Sequence, residues 1–346
     1  MPSMNVLTTI YVTGYALVQD ALTVRETPGS TLVERSPYSP PVRYLAEEKP
    51  PENSYDDVTV SLVRARIHSG NLVTLTFKAS REVQINPSQN IVLDLTSFLR
   101  GHSHTLVDWT EDESTVNDDC VRTWTVSIPP TAASPCLFSI TMRTITGGLI
   151  TPILYKIASR YAQDGESADL ASLKVTAPLR GIGGTLPVPE PIAACDGGRS
   201  LLWIAGGIGL TPFLSLTRHV ARHVSRTFGV WDIALVLSTR EPDVMLRLIA
   251  DALNALPATT APPDLSYVLH IFSPVSPKSV DALPAFVTVH QHLGRIGDDG
   301  EVFTGVGAKD REVQICGPLP FVQNAMKALE CAGVDPEQVK RERFTY

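Results

Sequence analysis

The stretch Leu201-Leu202-Trp203-Ile204-Ala205-Gly206-Gly207-Ile208-Gly209-Leu210-Thr211-Pro212 decides the fold. Its apolar run predicts a buried strand over 201–205. The glycines predict a tight turn, and Thr211-Pro212 predicts the cap and first turn of a helix over 212–224. Beyond it, apolar runs at 233–237, 267–272, 286–290 and 313–316 alternate with helical periodicity at 242–253 and 320–331. Such alternation predicts an α/β unit: a doubly wound parallel sheet with helices on both faces.

Upstream the texture is different. Runs at 58–67, 72–79, 91–95, 121–127 and 137–143 are rich in Val, Thr, Leu and Phe, with the turn His68-Ser69-Gly70-Asn71 between the first two. Short strands at this spacing predict a small antiparallel barrel. A helix is expected from Thr151-Pro152 and a short strand over 173–176, while the acidic stretch 108–119 reads as a loop. Before the barrel, two strand-like pieces stand at 8–17 and 22–25. The prolines of Ser36-Pro37-Tyr38-Ser39-Pro40-Pro41 exclude regular structure there. A polar linker follows over 47–54. The expected division is therefore 1–54, 55–190 and 191–346.

The whole chain of 346 residues is 43% hydrophobic and 19% charged, enough for sizeable cores. A net charge of -7 without any Lys/Arg cluster argues against a nucleic-acid binder. The dispersed cysteines Cys120, Cys136, Cys195, Cys316 and Cys331 form no C-x-x-C pair, which argues against zinc and cysteine-ligated iron–sulfur clusters. They read as reduced thiols. The N-terminus lacks the layout of a signal peptide, and no stretch reaches the roughly twenty apolar residues of a membrane span. The expectation is a soluble, cytoplasmic protein.

Five pieces carry candidate chemistry. On a strand, Arg122, Trp124 and Val126 face one way and Thr123, Thr125 and Ser127 the other. A local bend would let Arg122, Trp124 and Thr125 address one ligand. The guanidinium suits a pyrophosphate and the ring suits packing on a flat heterocycle. An ordinary edge strand is the alternative. In Gly147-Gly148-Leu149-Ile150-Thr151-Pro152 the glycines permit close backbone approach, and the helix start offers N–H groups to phosphate. A plain capped helix would read the same way. Gly207-x-Gly209-x-x-Pro212 carries the first two glycines of a dinucleotide fingerprint, with proline in place of the third. Cys316-Gly317-Pro318 ends a strand at the carboxyl edge of the expected sheet, where open α/β folds bind ligands. A lone cysteine can equally be a small buried thiol. The terminal Phe344 and Tyr346 read either as core or as a cover for a ring face. His102, His104, His290 and His292 read as exposed loop or strand residues, and no catalytic acid or base is assigned.

In combination, these motifs resemble the ferredoxin–NADP reductase superfamily, in the branch that includes NADH-cytochrome b5 reductase. Arg122-x-Trp124-Thr125-x-Ser127 resembles the Arg-x-Tyr-Ser/Thr flavin motif, with tryptophan standing where tyrosine is usual. Gly147-Gly148-x-x-Thr151 resembles the Gly-Gly-x-x-Ser phosphate motif. Gly206-Gly207-x-Gly209-x-Thr211-Pro212 and Cys316-Gly317-Pro318 resemble the two nicotinamide-nucleotide motifs. The similarity spans roughly residues 55–346. The segment 36–47 and the loop ending at Arg122 resemble the subgroup fused to a pyridoxamine-phosphate-oxidase-like split barrel. With only some forty-five residues before the reductase, a remnant of that domain is expected.

The resemblance implies a six-stranded antiparallel FAD-binding barrel followed by an NAD(P)-binding α/β domain. It further implies hydride transfer from NAD(P)H to FAD, with electrons passing onward to a separate acceptor that the sequence does not name. Thr239 and Arg240, after the second α/β strand, lean towards NADPH, because an arginine there can meet a 2′-phosphate. Glu241 pulls the other way. The alternative function is a redox-neutral FAD protein or a cofactor-poor binding subunit on the same fold.

Overall fold

The computed structural model describes residues 55, 57–97, 120–145, 150–189, 198–224, 230–254 and 264–343. The expected strands at 8–17 and 22–25, both linkers before residue 55, the 108–119 loop, and His102 and His104 lie outside the described residues. So does the segment resembling a split-barrel remnant.

The β-rich half contains β1 (Thr59–Ser69), β2 (Leu72–Ala79), β3 (Asn90–Asp94), β4 (Val121–Ile128), β5 (Leu137–Arg143), β6 (Ser167–Asp169) and β7 (Thr176–Gly183). Helix α1 (Ile150–Ser159) lies between β5 and β6. Antiparallel pairing runs β1-β2-β5-β4-β3-β7 and returns from β7 to β1, which closes a six-stranded ring. The short β6 adds to β1 outside that ring. Closure removes the exposed edges that an open antiparallel sheet would present. Alternate residues of β1 and β2, among them Leu62, Leu75 and Phe77, fill its interior together with Ile153, Leu154 and Ile157 of α1.

The expected strand over 173–176 is corrected. Residues Ala171–Leu173 form a 3₁₀ turn, Lys174 takes a left-handed φ of 50°, and the strand runs from Thr176 to Gly183. Pro178, Gly181 and Gly183 disguised it, since these residues ordinarily interrupt strands. The short strand β6 was not foreseen either.

The second half contains β8 (Arg199–Gly206), α2 (Thr211–Val224), β9 (Trp231–Ser238), α3 (Pro242–Leu253), β10 (Leu265–Ser273), β11 (Val287–Leu293), α4 (Glu301–Gly305), β12 (Glu312–Gly317), α5 (Leu319–Cys331) and β13 (Lys340–Arg343). All pairs are parallel, in the order β11-β10-β9-β8-β12-β13. Along β8, Leu201, Trp203 and Ala205 pack on one face, under residues of α2 and α3. Leu202 and Ile204 pack on the other, under residues of α5. A strand buried on both faces explains the unbroken apolar run.

The order of this sheet reverses beside β8. From there the chain steps outward through β9, β10 and β11, then returns to add β12 on the opposite side. Open α/β sheets form their ligand crevice at this switch point, outside the carboxyl ends of the strands. Here those ends are Gly206 and Gly317.

Candidate functional site

At the switch point the two glycine motifs of the α/β half pack against each other. A Cβ built on Gly209 would overlap the Cys316 carbonyl and lie 2.8 Å from the Gly317 Cα. One on Gly206 would sit 2.7 Å from Cγ of Phe321, and Gly317 is held by the same ring. Only glycine permits this backbone-to-backbone approach. Gly207 differs: its φ is +55°, and nothing lies within 4 Å of a Cβ placed there. It faces open space at the start of a helix, where N–H groups point outward and favour an anion.

The helix start corrects an expectation. A 3₁₀ turn over Gly207–Leu210 precedes α2, and Thr211 is already helical, with φ −55° and ψ −45°. Its hydroxyl donates to the Ile208 carbonyl at 3.1 Å, so Thr211 braces the turn instead of capping the helix. Pro212 is buried in the first turn. Likewise α1 begins at Ile150, one residue before the expected cap. The Thr151 hydroxyl accepts from the Ile145 N–H at 3.1 Å, tying the preceding loop to the helix. Gly147 and Gly148 lie outside the described residues, as do Phe344 and Tyr346.

Strand β4 supplies the barrel side of the crevice. Helix α2 packs against β4, and the Gly207–Leu210 turn reaches β5. Arg122 and Trp124 are half-buried, and Trp124 leans on the barrel core. Arg122 also donates to its neighbour's carbonyl at Val121, 2.8 Å away. Strict alternation fails at 125–127, where Thr125, Val126 and Ser127 are all buried. A register irregularity between Val126 and Ile128 against β5 supplies the bend. Two hydroxyls then have different fates. Ser127 is committed to the barrel wall, through the Ser139 carbonyl at 3.2 Å and the Thr141 hydroxyl at 2.9 Å. The Thr125 Oγ1 is buried with no hydrogen-bond partner among the described residues. A buried polar atom left this way calls for a ligand group or water.

Glu342 was assigned no role from the sequence, where it stands among the charged residues Lys340, Arg341 and Arg343. In the structure it is 5% exposed. It receives a hydrogen bond from the Asn90 side chain, and the Cys316 thiol donates to it at 3.8 Å. Burial raises its carboxyl pKa to about 7, against the lowering effect of those two hydrogen bonds. The same burial, reinforced by the Glu342 carboxylate, pushes the Cys316 thiol well above its ordinary range. Asn90 pairs across the ladder with Thr125. The sequence Thr125, Asn90, Glu342, Cys316 therefore links the barrel strand to the glycine motifs. A carboxyl raised towards neutrality by burial, beside a buried thiol, can hold a proton at this contact between the two halves.

The two halves are joined elsewhere by polar contacts. Arg66 pairs with Asp251 at 2.7 Å, and the Ser88 N–H donates to the buried Ser215 hydroxyl at 3.3 Å. Arg143 of β5 forms an ion pair with Glu241, which also accepts from the Ser69 hydroxyl at 3.3 Å. Thr239 is buried and its hydroxyl accepts from the Glu241 N–H at 3.1 Å, while Arg240 is exposed. The partners that join the two halves were not legible, since each pairs residues from distant parts of the chain. His290 and His292 stand on β11, where His270 stacks on both and Phe272 stacks on His292. They take no part in the crevice. Among the described residues, no helix is long and apolar enough to cross a membrane.

Residues 198–285 match the family described as ferric reductase NAD binding domain. The reductase component of propane 2-monooxygenase from Rhodococcus jostii is 27% identical over 150 residues, 42% of this chain and 35% of that protein. The flavohemoprotein of Bordetella pertussis is 25% identical over 212 residues, 57% of this chain and 49% of that protein. The chain thus spans half or less of the length of these relatives. A solved ferredoxin NADP+ reductase from Neisseria gonorrhoeae with bound FAD and NADP aligns at TM-score 0.48 and 13% identity, covering 82% of this chain and 97% of that one. The matched segment begins one residue before β8, in a parallel sheet that follows a closed antiparallel barrel.

Proposed function

We propose that this protein is an FAD-dependent NAD(P)H oxidoreductase that hands electrons to a separate acceptor. In this reading residues 55–190 are the FAD-binding domain and 191–346 the NAD(P)-binding domain. The observation that carries it is the meeting of two glycine-lined turns and an unpaired Thr125 hydroxyl around one crevice. The names of the relatives, a reductase component and a flavohemoprotein, support the same reading.

The residues present fit a flavin dinucleotide. Arg122 would pair with its pyrophosphate, joined by Gly147, Gly148 and the N–H groups at Thr151. Trp124 offers a flat apolar surface, and Thr125 a hydroxyl for the ring edge. FAD, when bound, supplies the two-electron chemistry between the nicotinamide and a one- or two-electron acceptor. Gly206, Gly207, Gly209, Thr211 and Pro212 would receive the pyrophosphate of NAD(P)H, and Cys316, Gly317 and Pro318 its nicotinamide. Phe344 or Tyr346 would cover the flavin face until nicotinamide displaces it. The chain's task is to hold both rings at near-attack distance, about 3–3.5 Å, and to exclude water.

NADPH is the proposed donor. Arg143 and Ser69 engage the Glu241 carboxylate, which removes the acid that would favour an unphosphorylated ribose. Arg240 is left as the exposed cation beside the buried Thr239. Anaerobic titration of the flavin-loaded protein with NADPH and NADH, read by loss of yellow absorbance, tests the reading. A kcat/KM much higher for NADH would overturn the choice of donor.

A further inference from the structure

The amino-terminal ends of β8, β12 and β13 surround a cavity of about 600 Å3. Strand β8, eight residues at about 3.3 Å each, sets it roughly 25 Å from the crevice at Gly206. Ligands of parallel sheets gather at the carboxyl ends, so this cavity belongs to a different site. Its volume falls within the range of small-molecule pockets.

Its charges are divided between committed and uncommitted groups. Arg199 pairs with Glu312. Arg311 is taken up by the Asp232 carboxylate at 2.6 Å and by the carbonyls of Val306, Leu201 and Asp232. Lys309 and Lys340 also line the cavity, are exposed, and have no acidic partner among the described residues. Asp310 lines it too.

The wall contains Gln314, only 1% exposed. Its Nε2 donates to the Pro187 carbonyl at 3.1 Å, which fixes the amide's orientation. Its Oε1 is buried without any hydrogen-bond partner among the described residues. An acceptor in that condition calls for a donor that the described residues do not provide. A bare anion could satisfy the two lysines but would offer nothing to Gln314 or Asp310.

We propose that this cavity binds a phosphorylated polyol of about pentose-phosphate size. Its phosphate rests between Lys309 and Lys340, and its hydroxyls donate to Gln314 Oε1 and Asp310. The site is independent of the nucleotide crevice.

Isothermal titration of the full chain with ribose 5-phosphate, in excess FAD and NADP+ so that the crevice is filled, tests this. One site is expected, weakened about tenfold or more in the Lys309→Met/Lys340→Met double variant, because each lost charge-assisted contact is strong. Gln314→Leu is expected to weaken it severalfold, and inorganic phosphate to bind about tenfold more weakly than the sugar phosphate. Both lysines are exposed, so an unchanged circular dichroism spectrum and melting temperature will certify the double variant. No binding at about 10 mM, equal binding by the double variant, or equal affinity for inorganic phosphate would each overturn the proposal.

Discussion

The carbonyl of Cys316 occupies the space that any side chain on Gly209 would need. Strand β12 and the turn after β8 therefore touch backbone to backbone, and two motifs more than a hundred residues apart form one surface. Gly209→Ala must push that backbone aside. The expected cost is about 1–3 kcal/mol of stability, together with a raised KM for NADPH. Gly207→Ala meets no neighbour and strains only a positive φ, for about 1–2 kcal/mol. Thermal melts and steady-state kinetics of the two variants check the difference: if Gly209→Ala leaves KM unchanged, the close contact has no bearing on nucleotide binding.

Thr125 separates a ligand role from a structural one. Its hydroxyl is buried without a partner, so Thr125→Val should hold or raise the melting temperature, by relief of an unsatisfied group worth about 1–3 kcal/mol. The rate of flavin reduction should nonetheless fall about tenfold or more, since a hydroxyl aimed at the ring edge is lost. Stopped-flow reduction of the variant measures this. An unchanged rate in a stabilised variant would assign Thr125 to packing alone.

Glu342 gives the protein a specific pH dependence. Its carboxyl titrates near 7 in the folded chain against an ordinary 4.5. A raised carboxyl favours the folded state fully below about 4.5, and that contribution is lost as pH rises from about 4.5 to 7. Glu342→Gln removes the dependence. Relative to wild type it should therefore gain stability between pH 5 and pH 8, by at most roughly 3 kcal/mol. Urea unfolding of both proteins across that range decides the matter, and parallel curves would refute the buried-acid assignment.

In the proposed reading, donor choice rests on a contact between the halves. Arg240→Ala should lower the NADPH to NADH ratio of kcat/KM about tenfold, acting on NADPH, because a charge-assisted phosphate contact is worth about 1.5–3 kcal/mol. Arg143→Met should lower the same ratio by releasing Glu241 towards the ribose. Kinetics with both nucleotides will show it, and an unchanged ratio in both variants would remove this turn from donor selection.

The fold was legible where local pattern and burial agree. Strands β2 and β5 and helix α3 begin and end where their periodicity does, because each has one apolar stripe and clear flanking breaks. The strand β7 was hidden because Pro178 and Gly181 serve a barrel wall that sequence periodicity does not reveal. Thr211 looked like a cap because the 3₁₀ turn before it has no distinct residue signature. The glycine motifs were readable since only glycine tolerates their contacts. Glu342 was not, because its burial depends on Asn90, some 250 residues earlier in the chain, and on a sheet built after the barrel.

The central claim is that a flavin and a nicotinamide share the crevice between β4 and the turn after β8. Anaerobic stopped-flow mixing of the FAD-loaded protein with NADPH measures it directly. A yellow protein is expected whose flavin absorbance bleaches in a single turnover, with NADPH ahead of NADH. A protein that neither retains FAD nor takes it up, or a yellow protein that neither nucleotide bleaches, would contradict it.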